Sequence, residues 1–244
     1  MNTDPFIVVL AAMKSEIAPY LGHMVEVRKK KLQGFMVWEG YQGSVKVRVL
    51  STGMATEPPV ELVRGCSLVL STGFCGALSE KLHTGDVVMS RSVAYADRGL
   101  IKSILSPEQN PGRYEGSGIF DIPMEEKLLA AVEDLFQGEE PSMHVGRTVT
   151  CSRVIRNKME KQEIGGYFDA LAVDMEDYLR LRSLRQLQVP LWCIRAVLDE
   201  VEDSVPGPWS VMGPRKLSGL LAKMQPAQQS ICRVLSHLES FIGH

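Results

Sequence analysis

The chain has 244 residues, of which 45% are hydrophobic and 23% charged, with a formal net charge of -2. That is enough apolar chain for a sizeable core, and the interspersed charges lack the clustered Lys and Arg that binding a nucleic-acid backbone requires. No apolar run reaches the roughly 18 residues of a membrane helix, and the opening Asn2-Thr3-Asp4-Pro5 is not the basic start of a secretory signal, so a cytoplasmic protein without a membrane span is expected.

Taken in chain order, Phe6-Ile7-Val8-Val9-Leu10 is a short unalternated apolar run, which predicts a central strand covered on both faces. A short helix is predicted over Lys14 to Pro19, placing Glu16 near the C-terminal end of that strand. The basic run Arg28-Lys29-Lys30-Lys31 reads as a solvated turn between strands. Residues Phe35 to Leu50 predict a hairpin turning at Tyr41-Gln42-Gly43-Ser44, because Val45, Val47 and Val49 alternate with Lys46 and Arg48. Leu68-Val69-Leu70 is the next strand, and Ser71 to Ser90 leaves it through glycines before re-entering a strand at Asp86-Val87-Val88-Met89. Those glycines suit either a close backbone approach to a ligand or an ordinary tight turn.

Asp97 to Pro123 is polar and rich in Gly and Pro, which predicts a long irregular excursion of the kind that often covers a site. A helix follows over Met124 to Phe136, then a strand over Val145 to Cys151, an amphipathic segment over Asn157 to Gly165, and a short buried strand at Leu171-Ala172-Val173. Helical sequence then runs to Gln188 and a buried strand from Leu191 to Leu198. After an acidic, Pro-containing loop the chain closes with a helix in which Pro226 is expected to produce a kink. The alternation of elements says α/β, the hairpin makes the sheet mixed, and no linker divides residues 1–244, so a single domain is expected.

Cys66, Cys75, Cys151, Cys193 and Cys232 are widely spread among apolar residues, which predicts buried reduced thiols. Neither cysteines nor histidines approach zinc-ligand spacing, so no metal and no cofactor is expected. Three carboxylates stand out. Glu16, Glu176 and Asp199 each lie at or just after a predicted strand end, where open α/β sheets gather their ligand sites, although an acidic residue there also serves as a helix cap or a surface charge.

The motifs Ala12-Met13-Lys14-Ser15-Glu16, Ser71-Thr72-Gly73-Phe74-Cys75-Gly76-Ala77-Leu78 with Gly85-Asp86-Val87-Val88, Val173-Asp174-Met175-Glu176, and Arg195-Ala196-Val197-Leu198-Asp199 occur in that order across nearly the whole chain. In this order they resemble the nucleoside phosphorylases and nucleosidases, particularly the methylthioadenosine/S-adenosylhomocysteine nucleosidases. The resemblance implies an α/β fold with a central mixed, partly barrel-like sheet flanked by helices, found as a homodimer or larger assembly, and a purine nucleoside as the small-molecule partner. It further implies that Asp199 is the general acid acting at purine N7, that Glu16 orients and deprotonates the attacking water, and that Glu176 binds ribose hydroxyls with Met175 packed on the sugar.

By the same resemblance Gly73, Phe74, Cys75 and Gly76 line the base or ribose pocket, with Val154 and Ile155 near the base. Phe74 stands where the family usually has a small or polar residue, and Val154 where the methylthioadenosine nucleosidases have a stacking aromatic. The chain is also similar to hopanoid-associated nucleosidases that release adenine from adenosylhopane, which would fit a more apolar pocket. Phosphorylases of the family carry an arginine where this chain has Ser71, which favours water over phosphate as the nucleophile. A phosphorylase and a catalytically silent nucleoside-binding protein are the alternatives.

Overall fold

The first strand, β1 (Phe6–Ala11), sits inside the sheet because its side chains are apolar on both faces. Ile7 and Val9 join one core cluster, with Ile17 and Tyr20 of α1 (Lys14–Leu21), while Val8 and Leu10 join another, with Leu62 and Val63 of α2 (Val60–Val63). The computed structural model describes residues 6–106, 118–138, 140–205 and 214–241. The remaining strands among them are β2 (Val25–Leu32), β3 (Phe35–Gln42), β4 (Val45–Ser51), β5 (Leu68–Ala77), β6 (Val87–Ala96), β7 (Ile119–Asp121), β8 (Met143–Cys151), β9 (Ala172–Asp174) and β10 (Leu191–Asp199). The remaining helices are α3 (Arg98–Leu105), α4 (Glu126–Phe136), α5 (Lys158–Phe168), α6 (Asp177–Leu184), α7 (Pro214–Leu235) and α8 (Leu238–Phe241).

These strands form one 10-stranded mixed sheet in the order β10-β6-β8-β9-β5-β1-β4-β3-β2, with β7 on β6. An additional β10–β5 pairing closes β5, β9, β8, β6 and β10 into a ring, and β1, β4, β3 and β2 extend from it as an open wing. The expected mixed, partly barrel-like α/β architecture is therefore present. Ring closure explains why all ten residues of β5 are buried, including the polar Ser71 and Thr72. One edge of β5 pairs with β10 from Val69 to Gly76; the other pairs with β1 through Ser71 and with β9 only at Gly76 and Ala77. Between those two partners lies a gap in the ladder, a switch point of the kind at which α/β sheets open toward ligands.

Several expectations change. Arg28 to Lys31 form part of β2, an exposed edge strand antiparallel to β3, rather than a turn; charge on an edge protects it from further pairing. The glycine segment does not leave the sheet after Leu70, since β5 continues through Ala77 and its glycines admit carboxylates against the strand. The stretch from Asp97 to Pro123 contains α3, capped by Asp97 Oδ1 accepting from the Leu100 amide at 2.7 Å, and β7; residues 107–117 lie outside the described residues. Pro226 lies within the closing helix α7, where a kink is expected. All five cysteines are buried.

Candidate active site

Glu16 occupies the gap in the β5 ladder. It is the third residue of α1, and its Oε2 accepts from the Met13 amide at 2.8 Å, the back-reaching half of a capping box. Its Oε1 accepts from the Phe74 amide at 3.1 Å, satisfying a β5 donor that neither β1 nor β9 pairs. A β-carbon at Gly73 would lie 2.7 Å from Glu16 Oε1 and 2.9 Å from an Arg195 nitrogen, and Gly73 has φ +146, so only glycine permits this approach. Glu16 thus serves as a helix cap while still facing the cleft. Burial raises its pKa, opposed by the two amides and by Arg195.

Asp199 is delivered from the other side by an irregularity in the sheet. The β10–β5 register runs regularly to Val197 opposite Cys75 and then shifts, so that Asp199 lies opposite Gly76 with Leu198 as the extra residue. Such bulges re-aim side chains. A β-carbon at Gly76 would be 2.9 Å from Asp199 Oδ2 and 3.3 Å from Val173, so this glycine makes room for Asp199 on one side and β9 on the other. Burial raises the pKa of Asp199, while the charge of Lys161, its Nζ 2.5 Å from Oδ2, holds it down.

Glu176 follows β9 in a turn built by Asp174. Asp174 Oδ1 accepts from the amides of Glu176 (2.7 Å) and Asp177 (2.9 Å) and from Thr150 Oγ1 (2.8 Å), starting α6 directly below the cleft. Glu176 Oε1 accepts from the Ala55 amide at 3.1 Å, and Oε2 from Arg195 at 3.2 Å. Each carboxylate oxygen has a second lone pair, leaving acceptor capacity toward the cleft.

Beneath these groups lies a buried ion network. Arg195 forks onto Asp177, at 3.0 Å from Nε and 2.5 Å from its NH2 group. Ser71 donates to Asp177 Oδ1 at 2.5 Å and accepts from Arg180 at 2.7 Å; Arg180 also donates to the Leu10 carbonyl (3.1 Å) and to Thr52 Oγ1 (3.1 Å). Burial pushes Asp177 up, but Arg195, Arg180 and Ser71 more than offset it and leave it below the usual carboxylate range. Burial raises Asp174, reinforced by the neighbouring Asp177.

A cleft of about 170 Å³ brings the predicted residues together: Glu16, Glu176 and Asp199 line it with Met175, Phe74, Cys75, Gly76, Val154 and Ile155. Gly73 does not line it but lies behind Glu16. Met54, Leu198 and Val205 add further apolar wall that sequence reasoning did not assign. Arg180 and Lys161 were also missed. Their signal was in the helical spacing, since Lys161 shares the buried stripe of α5 with Ile164 and Phe168, and Arg180 that of α6 with Asp177 and Leu184. Among the described residues, no group of three or more His, Cys, Asp and Glu side chains has the geometry to hold a metal ion, and no helix is long and apolar enough to cross a membrane.

A family model described as the phosphorylase superfamily matches residues 6–238. A curated 5'-methylthioadenosine/S-adenosylhomocysteine nucleosidase from Exiguobacterium is 24% identical over 209 residues, spanning 80% of this chain and 85% of that one. Among solved structures, the nucleosidase of that name from Neisseria meningitidis in complex with methylthio-immucillin-A superposes with a TM-score of 0.73 at 19% identity, covering 97% of this chain and 99% of the other. The futalosine hydrolase of Helicobacter pylori superposes with a TM-score of 0.72 at 19% identity, covering 98% and 97%.

Proposed function

Because the chain belongs to the phosphorylase superfamily, we propose that it is a nucleosidase hydrolysing the N-glycosidic bond of an adenine nucleoside with a 5' substituent, such as methylthioadenosine or S-adenosylhomocysteine. The observation that carries this reading is the convergence of Glu16, Glu176 and Asp199 on one largely apolar cleft. An acid, a base and a sugar ligand are the three groups that this bond cleavage requires, whereas simple retention of a nucleoside requires neither acid nor base.

The step begins with departure of the base. Asp199, its pKa raised by burial, transfers its proton to purine N7 as the bond from C1' to N9 breaks and its electron pair goes to the purine, which leaves neutral. Positive charge develops on the ribosyl group, and Glu176, accepting the ribose hydroxyls, stabilises it. Glu16 holds water at the opposite side of the sugar; water adds its oxygen to C1' and its proton passes to Glu16.

Water is favoured over phosphate because, among the described residues, the cations nearest the cleft are committed. Ser71 stands at the family's arginine position and Arg180 behind it bonds inward, while Arg153 on the cleft wall donates to both oxygens of Glu160 at 3.1 and 2.9 Å. A phosphate dianion without a free cation forfeits its strongest hydrogen bonds. The apolar walls from Met54, Val154 and Val205 suit the thioether portion of such a 5' substituent.

Residues 1–244 act as one domain in this reading, as a cytoplasmic homodimer or larger homo-oligomer, which sedimentation velocity tests. The test of function is release of free base from adenosine, inosine, methylthioadenosine, S-adenosylhomocysteine and apolar 5'-substituted adenosines. Adenine release from a 5'-substituted member supports the reading; tight binding of every member with no release would make the chain a silent binder.

A further inference from the structure

Lys161 is fully buried, and an unpaired ammonium in that position would be strongly destabilising. It lies on the inward stripe of α5 with Ile164 and Phe168, where helical packing would ordinarily place an apolar side chain. Its Nζ donates to the Glu200 carbonyl and, at 3.1 Å, to the Asp203 carbonyl, and lies 2.5 Å from Asp199 Oδ2. At that distance the ammonium and the carboxylate form a charge-assisted contact, and both the charge and the hydrogen bond of Lys161 lower the pKa of Asp199. Two carbonyls do not require a cation, since a neutral donor would satisfy them. The positive charge is matched instead to Asp199.

We propose that Lys161 is a positioning residue for the acid step, its ammonium being the buried counter-charge for the Asp199 carboxylate left when the proton passes to the departing base. This rests on the assignment of Asp199 as that acid. In the protonation state that reacts Asp199 is a neutral carboxylic acid; afterwards its proton is on purine N7, the electron pair of the broken C1'–N9 bond is on the purine, and a largely buried carboxylate remains. Without a cation that carboxylate would be expensive in so dry a place, and the proton would be held too tightly. The other charged groups facing Asp199 do not replace Lys161. Lys223 of α7 also lowers Asp199 but acts more weakly than Lys161 and is paired with Asp203, which lies in the following turn and is of like sign to Asp199, and Glu200 is turned to Thr84, accepting from its amide (3.1 Å) and hydroxyl (3.0 Å). Facing Asp199 from β5, Gly76 brings no charge, and the Cys75 thiol is held neutral by burial.

The test compares Lys161→Gln, which keeps a donor for the carbonyls and removes the charge, with Lys161→Arg, which keeps the charge; Lys161→Met is read in the same way if the glutamine variant does not fold. Asp199 must be protonated to act, so nucleoside turnover falls as pH rises through its pKa. Loss of the neighbouring cation moves that alkaline limb up by about 1–3 pH units and lowers kcat on the nucleoside by roughly 10- to 100-fold. A p-nitrophenyl riboside, whose leaving group needs no proton, keeps nearly the wild-type rate, and the arginine variant keeps the limb in place. An unmoved limb, or equal losses on nucleoside and p-nitrophenyl riboside, means that Lys161 only supports the fold. Asp199→Asn run alongside separates the two claims: if it retains nucleoside turnover, the acid assignment itself is wrong, whereas its inactivity together with an unmoved limb in Lys161→Gln overturns this inference alone.

Discussion

Replacing Asp199 by asparagine keeps the size and shape of the side chain and removes both its transferable proton and its capacity to carry the negative charge that faces Lys161. Loss of a general acid costs about 100- to 10,000-fold in turnover, or roughly 3 to 6 kcal/mol of barrier at about 1.4 kcal/mol per factor of ten. The structure adds a separate stability term. Asp199 is only 16% exposed, and its replacement leaves Lys161 with two carbonyl partners but no counter-charge. Stranding a buried charge entirely costs about 3 to 5 kcal/mol; with two hydrogen bonds and an amide oxygen retained, about 1 to 3 kcal/mol is expected. The variant should therefore fold, unfold at lower urea concentration, and release adenine from a 5'-substituted adenosine at least 100-fold more slowly, while its rate on a p-nitrophenyl riboside stays close to wild type. Chromatography of released base, with circular dichroism on the same samples, reads both effects. Near-wild-type nucleoside turnover by folded protein would remove Asp199 from the mechanism.

Glu176→Ala should weaken nucleoside turnover by about 100-fold or more while leaving free adenine binding within about threefold, because its contacts are to the sugar; calorimetry with adenine beside steady-state kinetics checks this, and equal losses in both would refute it. Gly73→Ala should lower stability by about 1 to 3 kcal/mol and displace Glu16, since the new methyl would lie 2.7 Å from its Oε1; unchanged urea midpoint and activity would contradict that. Arg195→Met leaves Asp177 and Glu176 without their shared guanidinium and should cost about 3 to 5 kcal/mol in urea unfolding. A loss below about 1 kcal/mol there would mean that Arg180 alone balances the buried acids.

The strands and most helices were legible because their apolar runs are short, regular and bounded by polar or Gly-containing turns, as in β1 and the β3–β4 hairpin. The basic run of β2 misled because an edge strand has no buried face to impose alternation, and all its residues from Val25 to Lys29 are exposed. The glycines of β5 resembled a loop for a related reason: their role is the close approach of Glu16 and Asp199 from segments more than 50 residues away, which local patterning does not encode. The three carboxylates were found through strand ends and motif order. The network beneath them was not, since Arg180, Asp177 and Lys161 read as ordinary helix-surface charges until their spacing is set against the buried stripe.

The claim that this chain hydrolyses a nucleoside is tested most directly by the origin of the new oxygen on the sugar. Turnover of methylthioadenosine, or of the best 5'-substituted adenosine, is run without phosphate in water enriched in heavy oxygen, and the sugar product is analysed by mass spectrometry. The prediction is full turnover without phosphate, one labelled oxygen at C1 of the free sugar, and no change when phosphate is added. Turnover that appears only with phosphate and yields the sugar 1-phosphate would contradict it and make the protein a phosphorylase.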